Sequence, residues 1–333
     1  MLEFEQKYWN SNYQNIAGID EAGRGPLAGP VVASAVIFPQ DIDLPEVTDS
    51  KKISAKKRER LFNDINKFAL AIGIGIVHED EIDEKNILQA TYVAMRQAIG
   101  KLSIRPDIVL IDGNQADIKH YTQKNIINGD QKSISIAAAS IIAKVTRDRI
   151  MQEYDKLFPE FGFAKHKGYG TKKHMEMIAN KKASPIHRKS FNPISNHLPT
   201  FAYLKRNHLI DVLGKQLVGC YLIRGGHEIL QVDCNISQVE EIDIISRYKE
   251  KLIFTKVDTL TGVYQKGSSI LKDTNLQRNR MIGLICQYTE EHEFDCDFYF
   301  NTGAVFLGKD KPKIEIIEHY FSKNSTKIIE ETY

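Results

Sequence analysis

Ile16-Ala17-Gly18-Ile19-Asp20-Glu21-Ala22-Gly23-Arg24-Gly25-Pro26-Leu27-Ala28-Gly29-Pro30-Val31-Val32 is the stretch on which the fold turns. Asn15–Asp20 is a short apolar run that ends in two consecutive acids. Three glycines and two prolines follow, and Val31–Phe38 then resumes a β-branched run. Turn-bounded runs of this kind predict two strands, and the glycine and proline punctuation predicts a loop between them. Successive strand residues point to opposite faces. Asp20 and Glu21 are therefore expected to share a site only where the strand ends, the glycine loop supplying the turn.

Outward from this stretch the pattern alternates. Ser54 caps a helix that carries Leu61, Phe62, Ile65 and Phe68 at helical spacing. Leu70–Val77 reads as a third strand. Ile82–Leu102 reads as one helix with Ile87, Leu88, Tyr92, Met95 and Ile99 on its stripe. Asp107–Ile111 is a fourth strand that runs into Asp112-Gly113, and Lys124–Ile127 is a short fifth ending near Gly129-Asp130. Ser135–Phe158 forms a long helix whose small residues permit close packing beneath a sheet, and Thr171–Asn180 forms another. Five strands interleaved with helices predict an α/β domain on a mixed sheet.

A length of 333 residues favours two domains. Asn192–Leu209, with two prolines, is the expected junction. Beyond it Ile210–Ile223 reads as helix, Glu228–Asp233, Ile242–Ser246, Leu252–Asp258 and Phe294–Phe300 as strands, and Thr274–Glu291 as a helix between the last two. This predicts a second, smaller α/β domain.

Apolar residues make up 42% and charged residues 26%, which excludes extended disorder. No apolar run approaches the ~18 residues of a membrane span, and Met1–Glu5 lacks the basic start of a signal peptide. Cys220, Cys234, Cys286 and Cys296 show no CxxC and no histidine at zinc spacing, as expected of reduced thiols in the cytoplasm. A secreted, membrane or disulfide-framework protein is excluded. The net charge of +2 divides into +4 over residues 1–200 and −2 over 201–333. Phe161–Ser190 carries Lys165, Lys167, Lys172, Lys173, Lys181, Lys182, Arg188 and Lys189 against Glu176, mixed with His166, Tyr169 and His174. A charge run can be merely a solvated helix face. Basic residues mixed with an aromatic and flexible glycines also suit a phosphate-rich partner.

Acids stand where apolar strands end: Asp20 and Glu21 after the first, Asp112 after the fourth, Asp130 after the fifth. One such acid often marks only a turn to solvent. Four that converged would repel and raise at least one pKa. A hard divalent cation removes that conflict, because Mg²⁺ prefers carboxylate oxygen and keeps waters for a substrate phosphate. Two ions about 4 Å apart serve phosphoryl transfer.

Gly18–Pro30 resembles the opening of ribonuclease HII. The resemblance continues through Asp49-Ser50-Lys51-Lys52, Leu110-Ile111-Asp112-Gly113-Asn114, Gly129-Asp130, Ser135–Asp148, His166-Lys167-Gly168-Tyr169-Gly170-Thr171 and His187-Arg188-Lys189-Ser190-Phe191, in order, over about residues 15–195. It implies a ribonuclease H-like fold for 1–195 and metal-dependent endonucleolytic cutting of RNA paired with DNA. It also implies nicking on the 5′ side of a ribonucleotide embedded in duplex DNA, leaving 5′-phosphate and 3′-hydroxyl ends. Asp20, Glu21, Asp112 and Asp130 match the family's metal-site carboxylates, which hold Mg²⁺ or Mn²⁺, two ions with substrate bound. Gly23, Arg24 and Gly25 match the loop that approaches the 2′-hydroxyl, the only group that marks RNA at a chosen nucleotide. Tyr169 matches the tyrosine that packs against the sugar at the DNA–RNA junction. Lys51 and Lys52, with Arg188 and His187, are the expected phosphate contacts. Lys144, Thr146 and Arg147 read equally as helix decoration or as parts of the site. The alternative, a non-catalytic reader of RNA/DNA hybrids, could lose any of the four acids, and this chain has them all.

From about Leu213 to Phe321 shorter words resemble the small YraN-type proteins of the restriction-endonuclease-like superfamily: Gly214–Leu217, Leu222–Leu230, Glu241–Ile245, Leu252–Phe254, Thr274–Met281 and Ile314-Glu315…Phe321. That resemblance implies a restriction-endonuclease-like α/β domain over 210–333, joined by a linker at 196–209. Asp243 stands at the family's aspartate. Where Glu-x-Lys is expected the chain reads Lys256-Val257-Asp258, and upstream Gly214-Lys215-Gln216 replaces a common Glu. A cation at a metal-ligand position is repulsive. The expectation is a degenerate second site at Asp243, Lys256 and Asp258, without nuclease activity. A register using Glu240 or Glu241 would leave it active, but no suitable Lys follows. Lys272, Arg278 and Arg280 are a candidate local basic patch.

Overall fold

Buried β-branched and small residues set the first sheet. The computed structural model describes residues 1–113, 116, 118–236, 241–262, 275–292, 298–308, 311–322 and 325–331. Asn114, Glu240, Lys272, Thr274 and Cys296, and the side chain of Arg278, lie outside the described residues. In chain order the elements begin with α1 (Glu3–Trp9), β1 (Ile16–Ala22), β2 (Val31–Ile37), α2 (Ala55–Phe68), β3 (Ala71–Val77), α3 (Glu79–Lys85) and α4 (Ile87–Gly100). There follow β4 (Ile108–Asp112), β5 (Gln123–Ile126), α5 (Ile134–Leu157), α6 (Phe163–His166) and α7 (Lys172–Lys181). The series closes with α8 (Phe201–Arg206), α9 (Ile210–Arg224), β6 (Glu228–Asn235), β7 (Glu241–Tyr248), β8 (Lys251–Thr261), α10 (Asn275–Glu291), β9 (Phe298–Leu307), β10 (Lys313–Ser322) and β11 (Ser325–Glu331).

The chain divides into two compact units. Met1–Gln152, Ala164–Lys181 and Ile186–Leu198 form the first; Glu153–Phe163, Lys182–Pro185 and Pro199–Tyr333 form the second. The first unit holds a five-stranded sheet in the order β3-β2-β1-β4-β5. β1–β2 and β2–β3 are antiparallel, whereas β1–β4 and β4–β5 are parallel. Every residue of β2 is buried. The Ala-rich start of α5 packs against β1: Ile136 and Ala137–Ala139 are fully buried, and a Cβ on Gly18 would lie 2.2 Å from the Ser135 carbonyl carbon. Buried Glu5 on α1 accepts the Ser133 hydroxyl and the Ser135 N–H, so the chain's first helix caps α5.

Two expectations need correction. The helix expected over Ile82–Leu102 is two helices, α3 and α4, parted at Asn86 with φ 68°, whose side chain accepts the N–H groups of Leu88 and Gln89. A continuous apolar stripe does not reveal a left-handed cap in its middle. β1 also runs two residues past Asp20, so Asp20 and Glu21 lie within the strand. The Ser54 cap of α2 forms as expected, accepting from the Lys57 N–H.

The second unit carries a six-stranded sheet ordered β11-β10-β9-β8-β7-β6. Among the described residues of this sheet only β8 and β9 pair in parallel, and α10 lies between them in sequence, as a parallel crossover requires. β10 and β11 add two antiparallel strands beyond the four expected. Helix α8 occupies part of the stretch expected as linker. Among the described residues no helix is long and apolar enough to cross a membrane.

Candidate active site

β1 and β4 are paired through Ile19↔Ile111, after which β4 stops at Asp112 while β1 continues against β2 to Ala22↔Val32. Asp20, Glu21 and Asp112 thereby reach the C-terminal ends of adjacent parallel strands, where an α/β sheet opens its crevice. Asp130 enters from the short turn Gly129–Gln131 beyond β5, and Asp112 Oδ1 holds that turn by accepting the Gly129 N–H at 2.7 Å. Asp20 Oδ1 bends back along the strand to accept the Glu21 N–H at 2.7 Å.

The four acids form one electrostatic group. Burial pushes the Asp20 carboxyl well above the carboxylate range, and Glu21 and Asp112 push it further, against a hydrogen bond from Ser140. Ser140 Oγ in turn lies 2.9 Å from Ser50 Oγ. Burial also raises Glu21, opposed by Arg24, whose Nη1 donates to Glu21 Oε1 at 3.0 Å. Asp130 is raised by burial and then by Asp112 and Asp49, opposed by Lys51 and Lys52. Asp112 is the common neighbour that raises all three. Asp49, which the sequence reading did not single out, is buried beside Asp130, accepts the Lys51 N–H at 2.9 Å and lies 3.7 Å from Lys52 Nζ. The word Asp49-Ser50-Lys51-Lys52 was its only signal. The donors are all oxygen, as a hard cation requires. Among the described residues no three of these acids bring their oxygens within 4.8 Å of one another.

Two buried arginines build the glycine loop. Arg188 is fully buried, with Nε donating to Gly29 O at 3.0 Å, Nη1 to Arg24 O at 2.9 Å and Pro26 O at 2.7 Å, and Nη2 to Gly23 O and Gly29 O. Arg147 donates to Pro30 O, Ala28 O and Lys167 O at 2.9–3.0 Å. Burial lowers both guanidinium groups, to about 9 for Arg188 and about 10 for Arg147, so both stay charged at neutral pH. Arg188, expected among the substrate contacts, is therefore an internal brace, and Arg147 is no surface decoration. His187 is buried too, its Nε2 3.0 Å from His174 Nε2. The expected contacts that remain exposed are Arg24, Gly25, Lys51, Lys52 and Tyr169, the last 47% exposed.

The loop's glycines differ in kind. Gly23 has φ +98°, and a Cβ there would meet Arg147 Nε at 2.1 Å and Pro30 O at 2.7 Å. Gly25 has open space apart from Tyr169 Cε1 at 3.6 Å. Gly23→Ala is expected to lose at least about 1–2 kcal/mol, lowering the thermal midpoint by several degrees in a circular-dichroism melt. Gly25→Ala is expected to melt as the parent does.

In the second unit Asp243 is 1% exposed and accepts the Val257 N–H at 2.7 Å, with Lys256 Nζ 3.3 Å from Oδ2. Asp258 is exposed and lines, with Lys256 and Asp243, a cavity of about 430 Å³.

The ribonuclease HII family model matches residues 17–194. The ribonuclease HII of Acetivibrio thermocellus is 56% identical over 191 residues, covering 57% of this chain and 75% of that protein. That of Syntrophus aciditrophicus is 55% identical over 191 residues, covering 57% and 90%. Among solved structures, the ribonuclease H2 from Pyrococcus horikoshii OT3 is 26% identical with a TM-score of 0.48, covering 55% of this chain and 96% of that one.

Proposed function

Because the chain belongs to the ribonuclease HII family, we infer that it is an endoribonuclease that cleaves the RNA strand of RNA/DNA hybrids in the cytoplasm. It also nicks duplex DNA on the 5′ side of an embedded ribonucleotide, leaving 5′-phosphate and 3′-hydroxyl ends. The observation that carries this reading is the grouping of Asp20 and Glu21 on β1 with Asp112 at the end of β4 and Asp130 from the turn beyond β5, beside the loop of Gly23–Gly25.

These four acids would hold Mg²⁺ or Mn²⁺, two ions with substrate bound, supplying charge to the scissile phosphate and an activated water. The chain's other residues select and orient the substrate. The braced carbonyls of Gly23 and Gly29 fix the loop, so Gly25, free of a side chain, lets the backbone approach a 2′-hydroxyl. Tyr169, 3.6 Å from the place of a Gly25 Cβ, packs against the neighbouring sugar. Lys51 and Lys52 meet phosphates and draw an ionic-strength-dependent share of the affinity. Arg24, paired with Glu21 and exposed at the rim of the loop, would add a further positive charge toward the substrate.

A duplex with a single ribonucleotide, incubated with Mg²⁺ or Mn²⁺, tests this reading. A nick on the 5′ side of the ribonucleotide is expected, with none in the all-DNA duplex. Binding without cleavage would support a hybrid reader instead. Gly25→Ala is expected to lose cleavage at least tenfold, about 1.4 kcal/mol, while keeping the parent's melting curve; equal activity would remove Gly25 from sugar recognition.

The second unit is proposed to be a YraN-type, restriction-endonuclease-like domain over about 210–333 without nuclease activity. The support is Lys256, which sets a cation 3.3 Å from Asp243 Oδ2 where the superfamily carries a carboxylate.

A further inference from the structure

Asp233, Glu241 and Asp243 bring carboxylate oxygens within 4.8 Å of one another, the only such trio among the described residues. On the register Val232↔Ile244 and Cys234↔Ile242, Asp233 stands opposite Asp243 across β6 and β7. Like charges directly opposite destabilise a strand pair, and Glu241, two residues before Asp243, adds a third charge on the same face. A cation must stand among them.

Lys215 on α9 is that cation. Its Nζ lies 2.6 Å from Asp233 Oδ1, 3.0 Å from Asp243 Oδ1 and 3.8 Å from Glu241 Oε1. The preceding residue explains how a helix delivers it: a Cβ on Gly214 would lie 1.9 Å from Thr259 Oγ1, so only glycine lets α9 approach β8 this closely. Burial alone would lower the Lys215 ammonium, but its bonds to Asp233 and Asp243 outweigh this and hold it above its usual range. Lys256 takes the other oxygen of Asp243 at 3.3 Å and donates to Glu241 O at 3.1 Å.

We propose that Lys215 is a built-in replacement for a divalent cation, its ammonium filling the position at which Asp233, Glu241 and Asp243 would otherwise hold Mg²⁺ or Mn²⁺. The second unit thereby keeps a charged pocket that needs no metal. This deepens the reading of that unit as inactive, yet it rests on the placement of Lys215 alone and stands whatever the domain's ancestry. Removing the ammonium leaves Asp233, Glu241 and one oxygen of Asp243 unoffset, a ligand set suited to a hard cation at 2.0–2.6 Å.

Mn²⁺ binding to the full chain, counted by electron paramagnetic resonance titration, tests the proposal. Lys215→Met is expected to bind one more Mn²⁺ per chain than the parent, with a dissociation constant below about 1 mM, and Asp243→Asn added to Lys215→Met is expected to abolish that ion. A folded Lys215→Met that gains no ion overturns the proposal. The parent chain supplies a test that needs no folded lysine variant: if Glu241→Gln lowers its Mn²⁺ count by one, the native pocket already holds metal and the proposal fails. An unchanged count supports it. Cleavage of the ribonucleotide duplex, run in parallel, reports separately on the first unit's site.

Discussion

Asp112→Asn is expected to fold at least as well as the parent and to lose at least about 100-fold in cleavage, since even an outer partner of a metal ligand costs 10–100-fold. The substitution keeps Oδ1, so the acceptor of the Gly129 N–H survives. What disappears is the charge that raises Asp20, Glu21 and Asp130 together. The consequence for pH has a fixed sign. An acid whose folded pKa is raised destabilises the fold above that pKa, and the cost is relieved as pH falls toward the unfolded value near 4. The metal-free parent is therefore expected to gain thermal midpoint as pH falls from neutral toward about 4 in this group's contribution, and Asp112→Asn to flatten that gain. Added Mg²⁺ should raise the parent's midpoint more than the variant's, because a ligand stabilises only the fold that binds it. Melting curves with chelator and with Mg²⁺, beside the cleavage assay, check all three. Undiminished cutting would sink the assignment of Asp112.

Arg188→Ala is expected to cost about 3–5 kcal/mol, because it orphans the loop carbonyls of Gly23, Arg24, Pro26 and Gly29 in a buried setting. At roughly 2–4 °C per kcal/mol for a unit of this size, the midpoint should fall by about 10 °C. Arg188→Lys should rescue little, since one ammonium cannot span carbonyls that a planar fork reaches in several directions. An exposed phosphate contact behaves otherwise. Lys51→Ala and Lys52→Ala should leave the melting curve unchanged, weaken substrate binding and flatten its dependence on salt. If Arg188→Ala followed the lysine pattern, the brace would be wrong.

Much of the first unit was legible locally. Ser54 announced α2, the β-branched run announced β2, and the Ala-rich start of α5 announced its close packing, because each signal lies within a few residues of its effect. The four acids were legible as a set because each follows an apolar strand run, and the parallel register Ile19↔Ile111 sets Asp20 level with Asp112. Other features depend on partners far along the chain. The Asn86 break hides inside an apolar stripe whose periodicity is blind to a single left-handed residue. The burial of Arg188 depends on carbonyls more than 150 residues earlier, so a basic run in sequence could not separate the brace from the exposed lysines around it.

The sequence by itself determined the first unit's family and its mixed sheet and singled out four candidate carboxylates, since long motif words and strand periodicity are local properties. It also marked the second unit's Asp243 and Lys256 as mismatched for a metal. Only the tertiary structure decided which charges face substrate and which are internal. It sent Arg188 and Arg147 inward to the loop, and it set Lys215 among three acids drawn from two strands. Charge identity is written in the chain, but the sign and sense of an electrostatic interaction depend on distance and burial, which only the packed fold provides.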